Sequence, residues 1–285
     1  MPGLQSAGPL LLCTCLLGQP QALPAQVNAK ALQAFDKFVH QREQEQAARV
    51  SGAKKFLWAD ESPERIRLLH EGQIVVEPET ADGIIKAPNA LIHNWIGAVF
   101  IPGATLDETI AVVHDYGRYK DFYKPDIITS QVVSHTGNSY QTRMRWLKKK
   151  IVTLAFEADY DVQYVPIDAT RAHSSAVSTR ISELEDMGTP SERALPVERG
   201  MIWRLNSYSR FEERDGGVYV ECEGISLSRP FPTGLGWLIE PIVRNGARAT
   251  LAHLLSSTRD AVLNYDRDLQ RTRLAEGAGG GGAAK

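Results

Sequence analysis

Apolar and polar positions change their period twice along this chain, and the changes mark out its elements. Leu91-Ile-His-Asn-Trp-Ile-Gly-Ala-Val-Phe-Ile101 reads as a strand stopped by Pro102 and Gly103. Thr105-Leu-Asp-Glu108 is a capping box, in which hydroxyl and carboxylate each satisfy a backbone N–H, and its helix runs through Val112-Val113-His114. A second short helical stretch, 117–123, ends before Pro125. Beyond Pro125 the period becomes two and predicts strands at 127–135, 139–147, 151–165, 171–184, 201–213 and 217–228. Asp215-Gly-Gly217 is a hairpin signal between the last two. Helical spacing returns from Leu238 to Leu269, with Leu251, Leu254, Thr258, Val262, Tyr265 and Leu269 on one stripe. An antiparallel sheet of seven strands must bury one face, and the long last helix is the cover available. The fold class expected is α+β.

Ahead of this region, Ala31, Leu32, Phe35, Phe38 and Val39 recur at helical spacing, whereas 41–46 is polar on every side. That predicts a helix whose first half docks and whose second half is solvated. Segments 73–77 and 83–86 read as short strands. Residues 26–90 are taken as an N-terminal extension, 91–270 as the main domain and 271–285 as a flexible Gly/Ala-rich tail. Residues 1–25 hold no charged side chain, and an apolar run spans 8–18. This predicts a signal peptide cleaved after Ala22 or Ala25, and a periplasmic or secreted protein.

Composition narrows the classes. Lys and Arg number 32 against 34 Asp and Glu, a net charge of −2 with 43% hydrophobic residues, so no basic stripe points to nucleic acid. Three cysteines make no disulfide framework, and the seven histidines are scattered without metal-ligand spacing, so neither metal nor cofactor is expected. Lys148-Lys-Lys150 reads as a solvated hairpin tip rather than an anion site.

The order of elements resembles the helix-grip fold of the START-like superfamily, also called SRPBCC or birch-pollen-allergen-like, over about residues 91–265. The resemblance rests on the strand-Pro-Gly-Ala-Thr approach to the helix and on the Asp115-Tyr-Gly-Arg-Tyr119 turn. The closing strand Val218-Tyr-Val-Glu-Cys-Glu-Gly-Ile-Ser-Leu-Ser228 before a long helix also fits. It implies a sheet wrapped around the last helix and a hydrophobic cavity between them. No catalytic signature transfers with it, because that superfamily holds carriers and enzymes alike.

Alternation sorts the two faces independently. Leu154, Phe156, Ala158, Tyr160, Val162 and Tyr164 share one, joined by Met144 and Trp146. With Asp215-Gly216 at the turn, Arg210 lies opposite Glu221 and Tyr208 opposite Glu223 on a polar outer face. The reverse carries Trp203, Leu205, Ser207, Ser209 and Phe211 against Val220, Cys222, Gly224, Ser226 and Ser228. Small residues there let a helix approach closely or leave empty volume. Apolar walls with a few hydroxyls suit a hydrophobic or lipid-like ligand. The wall residues expected are Met144, Trp146, Phe156, Tyr160, Tyr164, Trp203, Leu205 and Phe211. In related grips, loops near this helix border the cavity mouth. Phe231, Leu235 and Trp237 would accordingly form a gate loop open to transient membrane contact.

Two other readings compete. An enzyme of the cyclase or hydrolase-like branch would have to use His93 or the His114-Asp115 pair, since Cys222 sits between two glutamates. An interaction protein would have a filled core and use its N-terminal helix on a partner.

Overall fold

The computed structural model describes residues 29–80, 82–149, 153–230 and 246–265. The expected signal peptide, the gate residues Phe231, Leu235 and Trp237, and the Gly/Ala-rich tail lie outside the described residues. Helix α1 (Ala29–Val50) and helix α2 (Pro63–His70) come first, followed by β1 (Val75–Pro78), β2 (Ile84–Ala87) and the long β3 (Ala90–Pro102). Helices α3 (Leu106–His114) and α4 (Tyr119–Phe122) precede β4 (Ile127–Thr136), β5 (Ser139–Lys149), β6 (Thr153–Pro166) and β7 (Arg171–Glu185). The two-residue β8 (Arg193–Ala194), then β9 (Ile202–Arg214) and β10 (Gly217–Ser228), complete the strands, and helix α5 covers 246–265.

All pairings are antiparallel, in the order β1-β3-β10-β9-β7-β6-β5-β4, with β2 on β3 and β8 on β7. The seven strands expected are β3–β7, β9 and β10; the sheet has ten because β1 and β2 of the N-terminal segment, and β8, add to it. The Thr105–Glu108 capping box forms as read. Asp215 and Gly216 take positive φ of 55° and 76°, the turn geometry that this dipeptide favours, which sets Glu221 opposite Arg210 and Glu223 opposite Tyr208.

The sheet separates two cores. On its inner face α3 and α5 pack through Val112, Val113, Leu251, Leu255 and Val262 onto Val99, Phe156, Tyr160, Phe211 and Val220. On its outer face α1 lays Ala31, Phe35 and Val39 against Ile92, Tyr208, Ile225 and Leu227, while Phe56, Leu57 and Trp58 cover Ile96, Phe100 and Tyr219. The outer face of β9 and β10, read as polar, is thus covered by the N-terminal segment. Glu221 and Glu223 are 0% exposed and Arg210 2%.

Burying carboxylates is costly unless every oxygen finds a donor. Glu221 accepts from the backbone N–H of Trp58 at 3.0 Å and of Ala59 at 2.8 Å, and from Arg210 at 3.2 Å. Burial still pushes its carboxyl upward, against the pull of Arg210. Glu223 accepts from Arg42 at 2.8 Å, Asn94 at 2.6 Å and Gln46 at 2.5 Å. Arg42 and Gln46 belong to the half of α1 expected to be solvated; that half docks too, through polar groups in place of apolar ones. Among the described residues the outer face is open toward β4–β7, and there Arg143 and Arg180 hold Asp159 at 2.7 and 2.8 Å.

Because Phe35 is 2% exposed beneath the sheet, Phe35→Ala should lower unfolding free energy by about 3–5 kcal/mol in urea denaturation. An effect below about 1 kcal/mol would show that α1 contributes little to the folded state.

Candidate functional site: the inner face of the sheet

Over 205–210 and 221–226, strands β9 and β10 bury their outer side chains and leave their inner ones half-buried. Asn206, Tyr208, Arg210, Glu221, Glu223 and Ile225 are buried. Between them Leu205, Ser207, Ser209, Cys222, Gly224 and Ser226 are only half-buried. These six form a floor under α5, since alternate residues share a face. Register extends it into a row of Trp95, Gly224, Ser207, Ala176 and Val162 across β3, β10, β9, β7 and β6.

Both roles expected of small residues are present, at different places. At Gly97 a Cβ would lie 2.8 Å from Leu255 Cδ1 and 2.9 Å from Val76 Cγ2, so α5 seats directly on the backbone there. At Gly224 a Cβ would meet nothing within 4 Å among the described residues. The helix is therefore anchored at Gly97, while no described residue fills the space in front of Gly224.

Met144, Phe156, Tyr160, Tyr164 and Phe211 are buried in the inner cluster, with Trp146 and Leu205 packed partly against it. Trp146 stacks on Phe156 at 6.0 Å between centroids and 9° between planes. Trp203 is a correction. It packs with Phe35 and Ile92 on the outer face, because β9 bulges between Ile202 and Arg204 and breaks the alternation.

The tyrosines are not equivalent. Tyr164 shares a hydrogen bond of 3.0 Å with Tyr116 and donates to the carbonyl of Val113 at 2.8 Å, so its hydroxyl tethers the end of α3. Tyr160, by contrast, has a buried hydroxyl with no partner. Burial pushes its phenol upward, and the neighbouring Trp146 indole offsets part of the rise. The same condition recurs on inner-face residues: His93 Nδ1, Trp95 Nε1, Thr142 Oγ1 and Trp146 Nε1 are buried without a partner. Sequence reasoning missed Thr142, although it shares the period-two face of Met144 and Trp146.

The groups proposed for chemistry are dispersed. His93 meets Ser228 Oγ at 2.8 Å, and burial pushes it down to about 4, leaving the ring neutral. His114 packs edge-on to Tyr164 at 4.1 Å, its basicity lowered by burial and by His135. Asp115 instead accepts from Tyr265 at 3.1 Å, so the adjacent pair makes no shared hydrogen bond. Burial pushes the Cys222 thiol up to about 11, which keeps it protonated at neutral pH. A separate groove of about 410 Å³ lies where β4 and β5 meet α5, lined by Asp126, Ile128, Leu147, Lys148 and His253 among others. Lys148 is paired with Asp126 there.

An antiparallel sheet closed on its inner face by a C-terminal helix, with two short helices after its long strand, defines the START-like helix-grip fold. No protein-family model matches the sequence, and no curated protein matches it. Solved structures do. Human STARD10 aligns over 74% of this chain and 83% of its own, at 11% identity and a TM-score of 0.44. A STAR-related lipid transfer protein from Xanthomonas axonopodis aligns over 66% of this chain and 98% of its own, at 15% identity and a TM-score of 0.42. The Zhui aromatase/cyclase from a Streptomyces species aligns over 60% and 96%, at 12% identity and a TM-score of 0.38. Likenesses this distant concern the fold and carry nothing about what this chain binds.

Folded His93 resists protonation down to about pH 4, whereas the unfolded chain takes up that proton near 6.5. Its neutral ring therefore adds stability above pH 6.5 that is lost as pH falls toward 4. Relative to His93→Gln, the wild type should lose about 2 kcal/mol between pH 7 and pH 5 in parallel urea titrations. Parallel curves for the two proteins would refute the buried neutral histidine.

Proposed function

We propose that this protein binds one hydrophobic, lipid-like small molecule between the inner face of its sheet and α5, and carries it without transforming it. One observation supports this above the others: the sheet face that carries a half-buried floor of small residues also carries buried polar atoms without partners. On the outer face the ions Arg210, Glu221 and Glu223 find partners, while Asn94 Oδ1 and Trp203 Nε1 do not. The inner face leaves Trp95 unsatisfied next to Gly224, and Thr142, Trp146 and Tyr160 unsatisfied further along on β5 and β6. Each such group costs about 1–3 kcal/mol when left unmade, a cost that a ligand with matching atoms removes. The neutral His93, the protonated Cys222 and the separate partners of His114 and Asp115 supply no assembled acid–base or nucleophilic set. Export by the N-terminal segment is part of the proposal, and a mature mass beginning at Gln26 or Leu23 tests it.

Native mass spectrometry of the protein expressed with its leader is expected to show a retained apolar mass that organic extraction releases. Gly224→Leu, placed in open space with ordinary backbone angles, should abolish that mass while changing the melting temperature by no more than about 3 °C. A bare wild-type mass, or a ligand that persists in the Gly224→Leu protein, counts against the reading.

A further inference from the structure

Tyr160, Trp146 and Thr142 form the most specific part of the inner face. Thr142 and Tyr160 are paired directly across β5 and β6, and Trp146 stands four residues from Thr142 on the same face. Thr142 is 1% exposed and Tyr160 6%. The Trp146 indole N–H approaches the Tyr160 hydroxyl oxygen without completing a hydrogen bond to it. The indole can only donate, and although the phenol oxygen could accept from it, the phenol O–H still faces no acceptor.

Charge around the trio is arranged against an anion. Arg143 and Arg145, which alternate with Thr142, Met144 and Trp146 along β5, point to the outer face and pair with Asp159 and Glu157. Lys148, two residues beyond Trp146, is held by Asp126. A carboxylate, Glu183, stands opposite Phe156 and accepts from the backbone N–H of Met201. Arg229 in turn acts on Glu183, so among the described residues the cations named here already face carboxylates, and a desolvated ligand anion would meet donors without a free counter-charge, which is costly. An apolar ligand with no acceptor would leave the donors unmade.

Resting on the cavity reading above, we infer that the ligand carries an uncharged hydrogen-bond acceptor, a carbonyl or ester oxygen, that seats against Tyr160 and Trp146 with Thr142 beside them. The site selects a neutral oxo-lipid class over free carboxylic acids and over plain hydrocarbons.

Three probes of nearly equal shape test this by calorimetry on the extracted full chain: 2-acetylnaphthalene, 2-ethylnaphthalene and 2-naphthoate. The acetyl probe should bind about tenfold tighter than the ethyl probe, and naphthoate weakest of the three. Tyr160→Phe and Trp146→Phe should each weaken acetyl binding about three- to tenfold and leave ethyl binding unchanged. The infrared carbonyl stretch of the bound acetyl probe should sit lower than in hexane, and return toward the hexane value in Tyr160→Phe. Equal binding of acetyl and ethyl probes, or tightest binding of naphthoate, overturns the inference and leaves the cavity standing. Failure of all three to bind removes the cavity reading and this inference together. The wild-type probe series decides the matter even where a variant fails to fold.

Discussion

Two carboxylates buried under a helix govern the layout of this molecule. Glu221 and Glu223 sit on alternate positions of β10, so both must face the same side of the sheet. Left in solvent they would be ordinary. Enclosed, they require fixed donors, and they obtain them from Arg210, from Arg42, Gln46 and Asn94, and from the backbone at Trp58 and Ala59. Those donors come from α1 and from the segment after it, so satisfying the carboxylates also fixes where the N-terminal segment lies. The outer face of β3, β10 and β9 is thereby closed.

Local signals made much of this legible. The seven main strands, the Thr105 capping box, the Asp215-Gly216 turn and the pairing of Arg210 with Glu221 all follow from period two and turn chemistry, which act over a few residues. Tertiary arrangement decided the rest. Polar residues in the second half of α1 look solvated because nothing in their own spacing reveals buried carboxylates about 180 residues away. Trp203 lies on the outer face because one bulge shifts its parity, and bulges leave no mark on hydrophobic alternation. Tyr160 and Tyr164 are indistinguishable in sequence, four residues apart on one strand face. Only the approach of α3 separates them, by giving Tyr164 the carbonyl of Val113.

The inner face combines two opposite treatments of polar groups. Around α3 and α5 the hydroxyls of Tyr116, Tyr119, Tyr123 and Tyr164 are all engaged, joining helices to one another and to β6. Toward β5 and the middle of β6 they are not. The division follows the helices: where a helix comes near, the hydroxyl is used as a strut. Rigid struts at one end and unpartnered donors at the other make a scaffold whose specificity need not compete with its stability.

Gly97 and Gly224 together imply how such a site changes over evolutionary time. With Leu255 resting on Gly97, the helix cannot sink toward the floor. Room above Gly224, Ser207 and Ala176 is consequently set by how far those side chains rise from a fixed backbone. Each exchange among Gly, Ala, Ser and larger residues then trims the space by about a methyl group without moving an element. A lineage could pass from long ligands to short ones by graded steps, keeping the same helix, the same register and the same buried charges beneath.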